Sequence, residues 1–138
     1  MDSALIISYS EKSIDYKRKV LHEASVTNIT TINNAGEARR LLIEKDFDLC
    51  IVNTPLPDEF GGNLALNIAV KGISQVILIV KSELYDDISE KVEDYGIITI
   101  SKPISKPLLW NAVKLAKATH KKIRVMQSEN KKLIQKIE

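Results

Sequence analysis

The sequence predicts an α/β fold: a doubly wound, five-stranded parallel sheet with an extended C-terminal helix. Two observations carry that prediction. Five short β-like runs alternate with helical patterns along the chain, and such βαβα alternation folds into a parallel sheet covered by helices. Several of the runs are continuously apolar, as strands buried on both faces should be. A third feature, the absence of Gly and Pro after Pro107, predicts one long terminal helix.

The strands are expected at Ala4–Ser8, Asn28–Ile32, Leu49–Val52, Val76–Val80 and Ile97–Ile100. The first helix follows Ser10 and carries Ile14, Val20, Leu21 and Ala24. The second follows Asn33-Asn34 and carries Ala38, Leu41 and Leu42. The third spans about Leu64 to Val70 and stops at Gly72, and the fourth starts near Ser82, carries Ile88 and Val92, and stops at Gly96. Ser and Asn suit the starts because a short side-chain oxygen accepts a free first-turn N–H. Gly suits the stops because it enters the left-handed conformation without penalty.

The fifth helix begins after Ser105-Lys106-Pro107 and meets no stop signal through Glu138. From Leu108 that is roughly 46 Å of helix, too long to lie wholly on a small domain. A heptad register places Leu109, Ala116, Ile123, Asn130 and Ile137 at a, with Ala112, Thr119, Met126 and Leu133 at d. A single Asn at an a position flanked by Met126 and Leu133 favours a parallel two-stranded coiled coil. A homodimer through this helix is therefore expected, with Leu109, Ile123, Met126, Asn130, Leu133 and Ile137 as contacts; a solvated, fraying helix is the alternative. The uncapped end suggests a further domain beyond Glu138. The expected organisation is a domain over residues 1–118 and a helical extension over 119–138.

Composition bounds the function classes. With 138 residues, 44% hydrophobic and 28% charged, the chain has the size and balance of one globular domain. Its apolar runs, Ala4–Ile7 and Val76–Val80, are too short to span a bilayer or serve as a secretory signal. Cys50, alone in a buried strand, fits a reducing cytoplasm as a small core residue. Residues 114–138 hold eight Lys/Arg against Glu129 and Glu138, whereas residues 1–113 hold twelve against sixteen acids. A mildly acidic body thus carries a basic tail.

The motif evidence centres on Asn53. Asp48-Leu49-Cys50-Ile51-Val52-Asn53 leads into Thr54-Pro55-Leu56-Pro57 and then Gly61, and Ser101-Lys102-Pro103 follows the last strand. Over residues 4 to about 118 this resembles the receiver domains of bacterial response regulators, of flavodoxin/CheY-like fold. The resemblance implies that position 53 corresponds to the phospho-accepting aspartate, Lys102 to the lysine that contacts the phosphoryl group, and Pro103 to a cis proline. Pro57 and Gly61 keep the family's spacing from that position.

The departures point away from that chemistry. Asn53 has the shape of aspartate without an anionic oxygen. Ser8-Tyr9 stand where the family holds two acids that bind Mg²⁺, so neither metal nor cofactor is expected, given magnesium's need for carboxylates. Thr99 replaces the switch aromatic, and Val80 or Lys81, or Ser82, falls where a hydroxyl residue ends the fourth strand. Lys102 is expected to bond the Asn53 carbonyl oxygen or the Ser8 hydroxyl, with extension into solvent as the alternative. His22 and His120 read as non-ligands, since no metal spacing surrounds them.

Residues 115–123 and 128–133 are also similar to the helix joining a receiver to an ANTAR output domain, a module that binds hairpin RNA and prevents transcription termination. The function this implies is a phosphorylation-independent pseudo-receiver: a cytoplasmic dimerisation and signal-transduction module of an antitermination regulator. It would reach RNA only through an output domain absent from this sequence, and it would contact no membrane. The alternative is a ligand- or protein-sensing module using a neutral cleft of Ser8, Tyr9 and Asn53 beside Lys102, at the strand ends where open α/β sheets bind ligands. An enzyme is not expected, because no nucleophile–base pair can be named.

Overall fold

The computed structural model describes residues 1–137, with side chains described through Lys132. The chain runs β1 Ser3–Ile7, α1 Glu11–Glu23, β2 Asn28–Ile32, α2 Ala35–Glu44, β3 Leu49–Asn53, α3 Gly62–Val70, β4 Gln75–Val80, α4 Tyr85–Val92, β5 Ile98–Ser101 and α5 Lys106–Ile137. Short 3₁₀ turns, Ser82–Leu84 and Glu93–Tyr95, flank α4. Ser10 and Asn34 accept the Ser13 and Glu37 amides as N-caps of α1 and α2, as the sequence predicts.

All five strands pair in parallel in the order β2-β1-β3-β4-β5. The chain winds outward from β1 to β2, then returns to β3 on the other side of β1. That reversal opens a crevice beyond the carboxyl ends of β1 and β3.

Alternation along each strand splits the core into two layers. Leu5, Ile7, Cys50, Val52, Leu78 and Val80 face α2, α3 and α4, meeting Ala35, Ala38, Leu64 and Ile68. Ala4, Ile6, Leu49, Ile51, Ile77 and Ile79 face α1 and α5, meeting Val20, Leu21, Leu109 and Val113. Both faces are dry, which is why the strand sequences are apolar without interruption.

Helix α5 corrects the heptad assignment. Leu109 is completely buried in the body, with Ala112, Val113 and Ala116 beside it. Burying a leucine gains about 1.5–3 kcal/mol, so Leu109 serves the core of its own domain and is not a dimer contact. The buried stripe continues to His120, two residues past the expected boundary at 118. From Lys121 to Lys132 every residue is exposed. Ile123 at 39% and Met126 at 56% exposure are apolar side chains facing solvent, and Asn130 is exposed with them. The expected contacts Leu133 and Ile137 lie outside the residues whose side chains are described. No helix of the described residues is long and apolar enough to cross a membrane.

Candidate functional site

The crevice is built where β1, β3 and β4 end. Asn53 is the last residue of β3 and is nearly buried, at 9% exposure. Its Nδ2 donates to the Ser8 hydroxyl at 3.2 Å, while its Oδ1 is buried without a partner. Ser8 is itself fully buried, its amide bonded to the Ile32 carbonyl at 2.9 Å. The Asn53–Ser8 bond thus ties the ends of the two central strands together.

The loop after β3 is shaped by Gly61 and Asp58. Gly61 adopts φ +118°, and a Cβ there would come within 3.2 Å of Thr54 and Val52 side-chain carbons, so the position is closed to other residues. Asp58 accepts the Ala35 and Gly36 amides at 2.9 and 2.8 Å, satisfying free donors at the start of α2. These bonds hold the Asp58 carboxyl below its ordinary 3.8. Arg39 of α2 adds a bond to Glu59 at 2.9 Å. Pro57 is exposed on this loop, and neither Pro57 nor Gly61 lines the crevice; both act on backbone shape.

The loop after β5 carries Lys102. The Lys102–Pro103 and Thr54–Pro55 peptide bonds are both cis. The Lys102 ammonium donates to the Thr54 carbonyl at 2.5 Å. That differs from the expected bond to Asn53 or Ser8: a main-chain oxygen one residue further on takes the ammonium. The two loops are thereby tied directly to each other.

Two expectations about the cleft are corrected. Neither Ser8, which is fully buried beneath Asn53, nor Tyr9, which is 67% exposed, lines it. Nor is the cleft neutral. Its walls are Ser10 and Ser13 from the start of α1, Asn53 from β3, Lys81, Ser82 and Glu83 after β4, and Lys102, Pro103 and Ile104 after β5, around about 700 Å³. Beneath Ser13 lies Lys17 of α1, wholly buried. Its ammonium donates to the Ser13 hydroxyl, and to the Ser13 carbonyl at 3.4 Å. Burial, with the Lys102 charge as a second cause, lowers Lys17 from 10.5 to about 8, so it remains mostly protonated at neutral pH. Burial, and then the charge of Lys81, also lowers Lys102. Among the described residues none of these lysines has a carboxylate within ion-pair distance.

The sequence did contain a signal for Lys17. Ile14, Lys17, Val20, Leu21 and Ala24 share one helical stripe at i, i+3, i+4 spacing, and its other members are apolar. Within the basic run Lys17-Arg18-Lys19, only the first residue faces the core.

The donor set does not fit a magnesium ion. That ion takes carboxylates in tight octahedral geometry, whereas the Ser8 hydroxyl is engaged by Asn53 and the one carboxylate lining the cleft is Glu83. Among the described residues no group of three or more His, Cys, Asp and Glu is placed to hold a metal. Cys50 is equally unsuited to chemistry here, since burial pushes its thiol up to about 12.

No protein-family model matches this chain, and no curated protein matches it. Solved structures do. The signal receiver domain of an HD domain-containing protein from Pseudomonas fluorescens Pf-5 superposes with a TM-score of 0.75 at 21% identity, over 89% of this chain and 91% of that one. The fold is that of a receiver domain. The beryllofluoride-activated NtrC4 receiver domain dimer is similar over 87% of this chain and 99% of its own, with a TM-score of 0.75 at 22% identity. A third likeness is to a member of a family of streptococcal redox sensors evolved from two-component response regulators. It has a TM-score of 0.77 at 16% identity, over 91% of this chain and 55% of that one. At such identities the fold is shared, and the chemistry has to be argued from the residues present.

Proposed function

We propose that this chain is a non-enzymatic receiver-type signalling module that works without covalent phosphorylation and passes its state to an output through α5. The observation that carries this is Asn53. The acceptor position holds an amide engaged with Ser8, and Lys102 is already held by the Thr54 carbonyl. The link between the β3 and β5 loops that a phosphoryl group would make is thus present without one.

The exposed stripe of Ile123, Met126 and Asn130 supports pairing of two such helices, with a polar a position setting register. Similarity of residues 115–123 and 128–133 to an ANTAR connecting helix supports an RNA-binding antitermination output, and the reducing cytoplasm is its natural compartment. Incubation with acetyl phosphate and Mg²⁺ followed by intact-mass measurement tests the core of the proposal. An unchanged mass is expected; a stoichiometric acyl phosphate would overturn it.

A second reading is that the cleft senses a ligand or a partner side chain. Lys17 favours it, because a buried lysine with no carboxylate partner is expensive for a fold to keep. The streptococcal redox sensors illustrate a sensing role on this scaffold.

A further inference from the structure

We propose that one face of α5 is a docking surface for double-stranded DNA, gripped through its phosphates without reading its sequence. The inference concerns α5 itself and stands apart from the RNA-binding output proposed above.

Charge sorting is the first ground. Residues 1–113 hold twelve Lys/Arg against sixteen acids, whereas Lys114 to Lys132 hold seven against Glu129 alone. At the helical period, six of the seven fall within an arc of about 100°: Lys114, Lys117, Lys121, Arg124, Lys131 and Lys132. Ser128 completes that arc, while Lys122 and Glu129 lie outside it. The stripe is about 27 Å long. All six cations are exposed except Lys117, which is half-buried and donates to the Ala24 carbonyl at 2.5 Å. Among the described residues none of the six has a carboxylate within ion-pair distance.

The character of the stripe selects the partner. Between Lys114 and Lys132 no apolar side chain falls within the arc, so the surface lacks the buried anchors on which protein partners depend. It also lacks an exposed aromatic for stacking unpaired bases, as single-strand binders require. Trp110, at its body end, is half-buried and has the Lys114 ammonium 5.8 Å from its ring centre. A row of cations alone matches a row of phosphates, and a duplex carries one charge per 1.7 Å of axis. From Lys121 to Lys132 the helix stands clear of the body, every residue exposed. An α-helix fits the major groove of B-form DNA, whereas the deep, narrow major groove of an RNA duplex does not admit it.

Two further features suit this docking. Where α5 leaves the body, Met1, Lys117, His120, Lys121 and Arg124 line a hollow of about 500 Å³, large enough for one phosphate of the backbone. The carboxylate beside His120, Asp48, is engaged by the Asp2 and Ser3 amides at 2.7 and 3.2 Å. Ile123, Met126 and Asn130 lie on another side of the helix from the stripe, so pairing through them leaves the cations open to DNA.

The test is fluorescence anisotropy of a labelled, mixed-sequence DNA duplex titrated with the full chain at several salt concentrations. Six phosphate contacts predict a log–log salt slope of about −5. The double variant Lys121→Ser, Arg124→Ser should make the slope shallower by about 2. Both positions are exposed and off the pairing seam, so Tm and sedimentation should match wild type. The control Lys71→Ser, Lys91→Ser removes equal charge from α4 and the end of α3, on the other side of the sheet, and should keep the wild-type slope. A slope unchanged in the first variant, or reduced equally in the control, would overturn the proposal. So would tighter binding of an RNA duplex, or displacement of the DNA by polyglutamate at equal charge, which would assign the stripe to RNA or to an acidic protein. None of these outcomes bears on phosphorylation independence, which rests on Asn53.

Discussion

The ammonium of Lys17 is bonded to the hydroxyl and the carbonyl of Ser13, one helical turn earlier, and is sealed from solvent by that turn. A lysine held this way is charged at neutral pH yet lacks an anionic partner among the described residues. Replacing it by the apolar, similarly long Met should stabilise the chain at pH 7 by about 1–3 kcal/mol. The sign follows from the folded value of about 8 against 10.5 in the unfolded chain. Below pH 8 both states are protonated and the penalty is constant. Between these values the unfolded chain holds the extra proton, so wild-type stability rises with pH and the advantage of Lys17→Met shrinks. Urea unfolding of both proteins at several pH values measures the convergence.

Asn53→Asp places a carboxylate at the end of β3, but it should not make the chain a phosphate acceptor. The neighbouring positions remain Ser8, buried and without charge, and Tyr9, which faces solvent. The variant's mass should stay unchanged after acetyl phosphate and Mg²⁺, and a magnesium titration should give no saturable heat.

Asp58 joins the β3–α3 loop to the start of α2 through two amides. Because its folded value lies below the ordinary 3.8, its contribution is complete above that value and is lost as pH falls through the folded one. Asp58→Asn should lower Tm at pH 7 and flatten the acid limb of the Tm–pH curve. An acid limb as steep as wild type would locate the acid sensitivity elsewhere.

His120 is packed beside Asp48, with Nε2 3.9 Å from Oδ1. Burial lowers its value below 6.5 against the pull of Asp48 and Asp2, with the N-terminal amine and Arg124 adding repulsion. The unfolded chain therefore binds a proton first, and stability falls as pH drops through about 6.5 toward the folded value. Asp48 stays ionised there: burial acts to raise it, but the Asp2 and Ser3 amides and His120 hold it low. Replacing His120 by Gln should remove the drop in Tm between pH 7.5 and 5.5.

Sedimentation equilibrium decides the role of the exposed end of α5. The wild-type chain is expected to be a dimer, and the double variant Ile123→Lys, Met126→Lys a monomer. The change lies beyond His120, the last buried residue among those described in the helix, so the body should keep its Tm. A dimer in both would move the interface onto the body.

Much of the fold was legible because each element repeats one local signal. Asn28–Ile32 matches its strand to the residue, and Ser10 and Asn34 cap as their chemistry requires. Asn53, Lys102 and Pro103 were picked out through the resemblance to receiver domains, and the fold brings all three to the walls of one cleft. Lys17 was harder to see, because it sits in a basic run that reads as a solvated face. Leu109 was misassigned for a related reason. A helix stripe facing its own sheet and one facing a second helix share the i, i+3, i+4 pattern.

The sequence by itself determined the alternation of strands and helices, the presence of an amide and not a carboxylate at position 53, and a long terminal helix. These depend on local propensity, periodicity and residue chemistry, which neighbours along the chain supply. Tertiary structure alone decided that Lys102 bonds Thr54, that Asp58 caps α2, that Leu109 belongs to the body, and that Lys17 is buried beneath Ser13. Those outcomes join groups far apart in sequence or depend on which helix face meets the sheet. Long-range packing and desolvation set them.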